Sequence, residues 1–314
     1  MNYKKIIKSR EARLAILQIL SFIPDKWMVS LQYKIKTGRK LNLKNPQRFT
    51  EKLQWYKLNY YNPEMIKCVD KGDVRDFVSE KGLEETLIPC CGIYDHTEDI
   101  DWSLLPKQFV VKDTLGSGGS SVIIVKDKDS ADIESIKEQA TKWTKTNAHV
   151  KGGGREWPYY SGKNHRIIIE EYINSDPDKG GLIDYKFFCF NGEPQYIYVI
   201  TDRKLGESAC FGIYDAKFNL LDAYRVDEKR PERCMEKPKE FENMMAVARK
   251  LSQGFPEVRI DLYNVDGKIL FGEMTFWDGS GYMTFEPDEF DYVMGRAFKI
   301  NNKGASVVAS SQLI

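Results

Sequence analysis

An Asp-Gly pair between two alternating runs constrains the fold of this chain more than any other feature. Residues 258–275, VRIDLYNVDGKILFGEMT, alternate apolar with polar side chains on both sides of Asp266-Gly267. Such a pair between alternating runs is a strong hairpin signal, because both residues accept the positive φ of a tight turn. The sequence therefore predicts two antiparallel strands, at 258–263 and 269–275.

This hairpin carries two carboxylates, Asp261 and Glu273, on neighbouring strands, and we expect them on one face. Two close acidic groups raise each other's pKa unless a cation lies between them. Mg²⁺ usually takes one or two protein carboxylates and completes its shell with water and nucleotide phosphates. The pair is therefore a candidate magnesium site. A solvated hairpin with two unrelated acids is the alternative that this segment alone leaves open.

A second segment combines a lysine with a glycine-rich loop. Residues 109–111 predict a short buried strand that ends in Lys112. Backbone N–H groups of the loop that follows could approach phosphate oxygens without side-chain clashes. The loop fits neither the Walker A nor the dinucleotide-binding pattern, so an ordinary turn stays open as the alternative. The loop residues concerned are Gly116, Ser117, Gly118 and Gly119.

Two other predicted strands carry charged residues beside apolar ones. Three isoleucines at 167–169 lead into Glu170 and Glu171, where a strand that leaves a core could offer polar groups to an adenine amino group. A strand that simply reaches solvent is the alternative. Lys186 follows Asp184 in a strand rich in aromatic residues. A lysine in such surroundings needs a paired ammonium group or a cleft.

Composition limits the class of protein. The chain has 314 residues, of which 42% are hydrophobic, enough to bury a substantial core in two or three lobes. No apolar run approaches the roughly 18–20 residues of a membrane-spanning helix. Six cysteines without C-x-x-C spacing and three dispersed histidines disfavour a zinc site or a disulfide scaffold. The sequence therefore predicts a protein of the reducing cytoplasm.

Positive charge is concentrated at the N-terminus. Residues 1–60 contain 14 Lys and Arg but only 3 Asp and Glu. Within them, residues 12–20 form a strongly apolar helical stretch. We expect a basic helical leader at 1–45 that packs on the main body, with peripheral contact to the inner membrane face as the alternative. No nucleic-acid partner is expected.

Periodicity and turn residues predict helices separated from mostly antiparallel strands, which indicates an α+β fold. The stretch after Pro89 is predicted to be rich in loops. Predicted helices cover 46–56, 71–81, 131–146 and 239–253. Further predicted strands cover 122–125, 167–173, 185–190, 195–201 and 209–214.

Seven short segments occur in one order between about residues 46 and 300. They are FTEKLQWYKL, DKGDVRDFV, LIPCCGIYD, LPKQFVVK, DYKFFCFNGEP, FPEVRIDLY and FGEMTFWDGSG. In this order they resemble the TupA-like ATP-grasp family, which is named for teichuronopeptide biosynthesis and occurs among bacterial surface-polysaccharide genes. The resemblance implies an ATP-grasp fold, with two α+β lobes that clasp ATP and a helical N-terminal region before them.

The resemblance also implies a domain division. It gives the basic leader at 1–45, a helical substrate region at 46–106, a small lid lobe at 107–165, a larger lobe with the metal site at 166–300 and a tail at 301–314.

Roles in ATP binding follow from the same resemblance. Lys112 and Lys186 would contact the phosphates, and the glycine loop would act as the lid. An acidic residue that binds ribose usually follows the adenine hinge, which suggests Asp176 or Asp178. The implied hinge consists of Glu170 and the backbone of Glu171, Tyr172 and Ile173.

Asp261 and Glu273 match the metal-binding acids of the superfamily. Thr275 stands where the superfamily often has an asparagine. The number of bound metal ions, one or two, therefore stays open. Arg259 and Arg203, together with Lys186, would stabilise the transferred phosphoryl group. The 278–281 segment, DGSG, would lie where the acceptor binds.

The implied activity is that of an ATP- and Mg²⁺-dependent carboxylate–amine ligase that works through an acyl phosphate. Its substrates would be an amino acid or amine and a uronic acid or peptide, on a small-molecule or lipid-linked saccharide acceptor. A sugar or glycan kinase on the same fold is one alternative. A glycosyltransferase is another, and it would use an Asp-x-Asp site such as Asp127-Lys128-Asp129 or Asp176-Pro177-Asp178.

Overall fold

The computed structural model describes most of the chain. The described residues are 16–17, 19–116, 121–147, 149, 151, 154–175, 181–201, 210–231 and 234–300. Predictions outside these ranges concern Ser117, Gly118, Gly119, Asp176, Asp178, Arg203, most of the leader helix at 12–20 and the tail at 301–314.

Seven α-helices and eleven strands lie in the described ranges, and they confirm the α+β class. The helices are α1 (Asp25–Thr37), α2 (Phe49–Asn59), α3 (Glu64–Val69), α4 (Val74–Glu80), α5 (Ile133–Thr144), α6 (Phe241–Ser252) and α7 (Glu289–Ala297). The strands are β1 (Cys90–Tyr94), β2 (Phe109–Asp113), β3 (Val122–Val125), β4 (Ile167–Glu171), β5 (Asp184–Phe190), β6 (Glu193–Thr201), β7 (Cys210–Asp215), β8 (Tyr224–Arg225), β9 (Glu257–Val265), β10 (Lys268–Thr275) and β11 (Phe285–Glu286).

The four predicted helices are present as α2, α4, α5 and α6, although each starts two or three residues later than predicted. For α4 the structure shows why. The Asp70 carboxylate accepts the N–H groups of Gly72 and Asp73, at 2.8 and 3.0 Å, and this turn delays the helix to Val74. The prediction of loop directly after Pro89 is wrong. That segment is β1, because it pairs with β4, a partner remote in sequence.

A small antiparallel sheet has the strand order β1-β4-β2-β3. Helix α5 covers one face, where Phe109, Val111 and Ile169 form a core with Ile136 and Trp143. Side chains alternate along a strand, so the intervening residues of β2 and β4 point to the opposite face. Two strands of this sheet, β1 and β4, lie outside the 107–165 segment predicted as the small lobe. The domain limits stay a prediction.

A larger antiparallel sheet has the order β10-β9-β5-β6-β7. On one face α6 packs through contacts such as that between the Phe187 and Phe241 rings. On the other face α2 covers one end, where the Phe49 ring meets those of Phe188 and Phe190 edge-on. The remaining part of this second face carries charged side chains, and it forms the candidate site.

Candidate active site

The predicted hairpin is confirmed, and its turn places Asp266 at φ 51° and Gly267 at φ 84°. Strands β9 and β10 pair directly, with Glu273 opposite Asp261 and Thr275 opposite Arg259. The two carboxylates therefore lie side by side on one face of the larger sheet, as expected from the sequence.

A β-bulge makes this arrangement possible. The register pairs Phe271 with Leu262 but then pairs Glu273 with Asp261, so Gly272 is an extra residue. In a regular hairpin, Gly272 would oppose Asp261, and Glu273 would oppose Ile260 and point into the core. A Cβ atom at position 272 would lie 3.1 Å from the Asp261 carbonyl oxygen, so glycine allows the close approach.

Lys186 completes a row across three strands, because it lies opposite Asp261 on the other neighbour of β9. Its side chain is buried, and its ammonium group pairs with Asp261 and, at 2.7 Å, with Asp184. The expectation that this ammonium group is paired or lies in a cleft is confirmed. The Lys186 ammonium group could therefore bind an anionic ligand only if it divided its hydrogen bonds between the ligand and these two carboxylates.

Arg259 is the second cation of the site, and it contacts three acids. Its Nε donates to Asp261 Oδ1 at 2.7 Å, and its Nη2 donates to Glu273 Oε1 at 2.8 Å. Its Nη1 donates to the carboxylate of Asp278, which also pairs with Arg225 at 3.5 Å. The guanidinium group therefore fixes both hairpin carboxylates relative to the loop that follows β10.

The two carboxylates titrate differently. Burial raises the pKa of Asp261 to about 6, against the opposing effect of Arg259 and Lys186. Desolvation also acts on Glu273, but Arg259, Lys186 and Lys71 outweigh it and hold the pKa of this carboxyl group at about 2. Glu273 is therefore ionised across the neutral range, and its side chain is 41% exposed.

The donor set fits Mg²⁺. Asp261 and Glu273 offer hard oxygen ligands on one face, and the Thr275 hydroxyl lies 3.3 Å from Glu273 Oε1. In the part of the chain that the structure describes, no three His, Cys, Asp or Glu side chains group closely enough to hold a metal ion. A two-carboxylate site suits Mg²⁺, which usually retains waters and takes phosphate oxygens as further ligands.

The loop after β10 adopts an unusual backbone. Gly279, Ser280 and Gly281 all have positive φ, at 52°, 55° and 69°, which is costly for the serine. Two side chains of α2 hold it: Gln54 Nε2 donates to the Ser280 carbonyl at 2.9 Å, and Lys57 Nζ does so at 3.0 Å. The loop starts at Asp278, so Arg259 ties it to the carboxylate pair. Its role as the acceptor site stays a prediction.

On the small sheet, Lys112 and Glu170 form an ion pair at 2.6 Å. They lie on the face that α5 leaves open, and Arg75 of α4 adds a second contact to Glu170 at 3.4 Å. The predicted phosphate lysine and hinge acid are therefore neighbours. The Glu170 carboxylate holds Lys112 in place, so an approaching ligand would compete for this ammonium group.

The remaining hinge residues lie where β4 ends. The Glu171 N–H donates to the Pro89 carbonyl at 3.0 Å, and Tyr172 and Ile173 are half-buried beyond the strand. The adenine role of these residues stays a prediction. A cavity of about 500 Å³ adjoins this end of the sheet and is lined by Pro106, Lys107, Gln108, Lys126, Asp127, Glu171 and Tyr172.

Lys71 is a site residue that the sequence reasoning missed. Its Nζ donates to the Gly116 carbonyl at 2.5 Å, next to the glycine loop. Burial lowers its pKa, whereas the charge of Glu273 acts in the opposite direction. Lys71 therefore lies between the small sheet and the carboxylate hairpin. The signal was present in DKGDVRDFV, where a lysine precedes an apolar helix, but its partners are remote in sequence.

A family model described as TupA-like ATPgrasp matches residues 51–299. No curated protein matches. Solved structures with similar folds include a D-alanine–D-alanine ligase from Bacillus anthracis, at 20% identity over 67% of this chain and 57% of that chain, with a TM-score of 0.41. The same ligase from Helicobacter pylori gives 12% identity over 80% and 68%, with a TM-score of 0.43.

A third similar structure is N5-carboxyaminoimidazole synthetase from Staphylococcus aureus complexed with ADP, at 12% identity over 67% of this chain and 44% of that chain, with a TM-score of 0.38. The chain thus spans little more than half of the Bacillus ligase and less than half of this synthetase. At these identities and TM-scores, the solved structures add no argument about chemistry to the family match.

Proposed function

Since the chain belongs to the TupA-like ATP-grasp family, we propose that it is an ATP- and Mg²⁺-dependent carboxylate–amine ligase. The observation that carries this proposal is the row of Lys186, Asp261 and Glu273 across three strands. Arg259 forms ion pairs with both carboxylates of this row. The arrangement combines two hard-oxygen ligands for a divalent cation with two fixed cations, as phosphoryl transfer requires.

In the proposed reaction, a carboxylate oxygen of the acceptor attacks the γ-phosphorus of ATP. The bond from that phosphorus to the bridging oxygen breaks, which releases ADP and leaves an acyl phosphate. The amine nitrogen then attacks the carbonyl carbon, loses a proton, and expels phosphate. No side chain acts as a nucleophile, so the protein's contribution is positioning and electrostatic stabilisation.

Each cation has a place in this scheme. Mg²⁺, held by Asp261 and Glu273, would neutralise charge on the phosphates. Arg259 and Lys186 would stabilise the phosphoryl group in transfer, because desolvated charges of fixed geometry act strongly there. The role of Arg203 in phosphoryl transfer stays a prediction from the sequence. Thr275 would orient Glu273 through the contact between their side chains.

The nucleotide would extend from the hairpin to the small sheet. Lys71 and Lys112 would bind its phosphates, beneath the predicted lid of residues 116–119. Its adenine would reach the end of β4, where Glu170 to Ile173 form the predicted hinge and a cavity adjoins Glu171 and Tyr172.

For the acceptor, we propose a uronic acid or peptide of a bacterial surface polysaccharide, joined to an amino acid or amine. The family name supports this class. A kinase would need a general base for its hydroxyl acceptor. Asp184 and Asp278 are acids of the site that could act as that base, but both pair with cations, Lys186 and Arg259 respectively. This arrangement favours the ligase.

The glycosyltransferase alternative relied on an Asp-x-Asp metal site, and Asp127-Lys128-Asp129 is the candidate within the described residues. The Asp127 carboxylate accepts the N–H of Asp129 at 3.3 Å and thereby caps a short 3₁₀ turn. Asp129 in turn makes only a long, exposed pair with Lys107, at 3.9 Å. The cap accounts for an aspartate at position 127, so these acids need no role in binding a metal ion or a sugar nucleotide.

Replacing Lys112 with alanine is expected to weaken ATP binding by about ten- to a hundredfold, since a charge-assisted contact contributes about 1.5–3 kcal/mol. Isothermal titration calorimetry with Mg²⁺ measures the change. Lys142→Ala is the matched control, because Lys142 is an exposed lysine of α5, the helix that covers the opposite face of the same sheet. Equal affinity of the Lys112→Ala variant and the wild type would remove Lys112 from the site.

The reaction class can be tested before the natural substrates are known. The protein is incubated with ATP, Mg²⁺, a panel of uronic acids and peptides, and hydroxylamine as the amine. We expect ADP release that depends on the carboxylate, together with a hydroxamate product. ADP release with a phosphorylated hydroxyl group as the product would instead establish a kinase.

A further inference from the structure

Exposed apolar side chains are concentrated near the N-terminus. Of the twelve large hydrophobic side chains that are exposed in the described part of the chain, six lie between residues 16 and 35. Trp27 is 73% exposed and Phe22 is 78% exposed, which is unusual for rings of this size. The other four are Ile16, Ile19, Leu31 and Ile35.

Helix α1 is apolar on two opposite faces. One face is buried through Met28 and Tyr33, and the Tyr33 hydroxyl contacts Thr50 Oγ1 at 2.9 Å. Trp27, Leu31 and Ile35 recur every four residues, so they form a continuous stripe on the opposite face. A soluble helix needs only its buried face to be apolar, so the stripe requires a separate explanation.

Basic side chains surround this stripe. Lys26, Lys34, Lys40 and Lys44 are all exposed. Asp25 is the one acidic residue between positions 16 and 45, and Arg155 and Lys151 neutralise it at 2.9 and 3.3 Å. This surface therefore combines exposed apolar side chains with a net positive charge, because residues 16–45 contain too few acidic residues to neutralise their lysines.

We propose that residues 16–44 form a docking surface for a bilayer of anionic phospholipids. The apolar stripe of α1 would lie among the acyl chains at the interface, with Trp27 as the aromatic anchor, and the lysines would contact the headgroups. No helix of the described ranges is long and apolar enough to cross a membrane. This inference concerns a partner, and it is independent of the proposed reaction.

Helix α1 contacts the segment after β10 through its buried face, opposite the apolar stripe. The Tyr282 hydroxyl, in that segment, donates to Gln32 Oε1 of α1 at 2.7 Å. Arg155 donates to the carbonyl of Leu20 at 2.8 Å and so holds the start of the docking surface.

Vesicle flotation tests the inference with the full-length protein. Vesicles of phosphatidylcholine mixed with phosphatidylglycerol are compared with vesicles of phosphatidylcholine alone. The wild type is expected to float with the mixed vesicles, and less so as salt increases. The double variant Trp27→Gln/Leu31→Gln is expected to bind at least about tenfold more weakly, as the loss of two buried apolar side chains implies.

Leu104→Gln is the matched control, because Leu104 is 81% exposed and belongs to a different part of the surface. Circular dichroism and sedimentation velocity accompany each variant. Wild-type protein that does not float with anionic vesicles would overturn the proposal, as would equal flotation of the double variant. A change in sedimentation of the double variant, without wild-type flotation, would assign the stripe to a contact between two copies. A lower melting temperature of the double variant, without wild-type flotation, would also overturn the proposal, because the stripe would then pack within the folded chain.

Discussion

Replacing Glu273 with glutamine is expected to lower Mg²⁺-dependent ATP turnover by about 10²–10³-fold, the effect of losing one preorganised electrostatic group. The amide keeps the size of the side chain but removes a charge from the pair with Asp261. Stability should change little, because the Glu273 side chain is 41% exposed. Steady-state ADP release measures the turnover, and thermal denaturation confirms the fold.

Asp266→Asn is the control for this prediction. It makes the same carboxylate-to-amide change in the same hairpin, at a turn position with φ 51° that asparagine also tolerates. It should turn over ATP like the wild type. Loss of activity in both variants would indicate a damaged hairpin, and full activity of Glu273→Gln would show that Glu273 does not bind the metal.

Replacing Arg259 with methionine is expected to destabilise the fold by about 3–5 kcal/mol, the usual cost of removing one partner from a buried ionic cluster. Asp261 and Asp278 are both buried and would retain only Lys186 and Arg225 as their cations. Turnover should also fall, because Arg259 orients both hairpin carboxylates. Chemical denaturation measures the change in the free energy of unfolding.

The matched control is Arg296→Met, which removes an exposed arginine that pairs with Glu289 at 3.0 Å. Such a surface pair contributes only about 0–1 kcal/mol. If both arginine variants lost the same small amount of stability, the cluster around Arg259 would not support the larger lobe as described.

The hairpin shows how far the sequence could predict the site. The alternation and the Asp-Gly turn were sufficient to predict both strands and both carboxylates. They were not sufficient to predict why Glu273 faces Asp261, because alternation in a regular hairpin directs Glu273 into the core. The bulge at Gly272 resolves this conflict. A glycine inside a strand hints at a bulge, but only the register demonstrates one.

Lys71 and Asp278 show a different limit. Each has partners far along the chain, Lys71 at Gly116 and Asp278 at Arg225 and Arg259. Local periodicity contains no information on such contacts, because they depend on how the two sheets and their loops pack. The sequence could therefore identify charged residues at the strand ends, but not the contacts among them.

The N-terminal region shows the same limit for surfaces. The sequence indicated a basic leader with an apolar stretch at 12–20 and favoured packing on the main body. In the structure, α1 does pack on the body through Tyr33, yet it also exposes Trp27 on its opposite face. A helix with apolar residues on two faces cannot be assigned a buried side from its sequence alone.

The central claim is that the Asp261 and Glu273 pair holds Mg²⁺ for a bound ATP. Isothermal titration calorimetry of the wild type and of Glu273→Gln, with ATP in the presence and absence of Mg²⁺, tests it most directly. We predict wild-type binding of ATP that strengthens when Mg²⁺ is added, and no such strengthening in the variant. Wild-type protein that shows no binding of ATP but binds a UDP-sugar would contradict the claim and favour the glycosyltransferase.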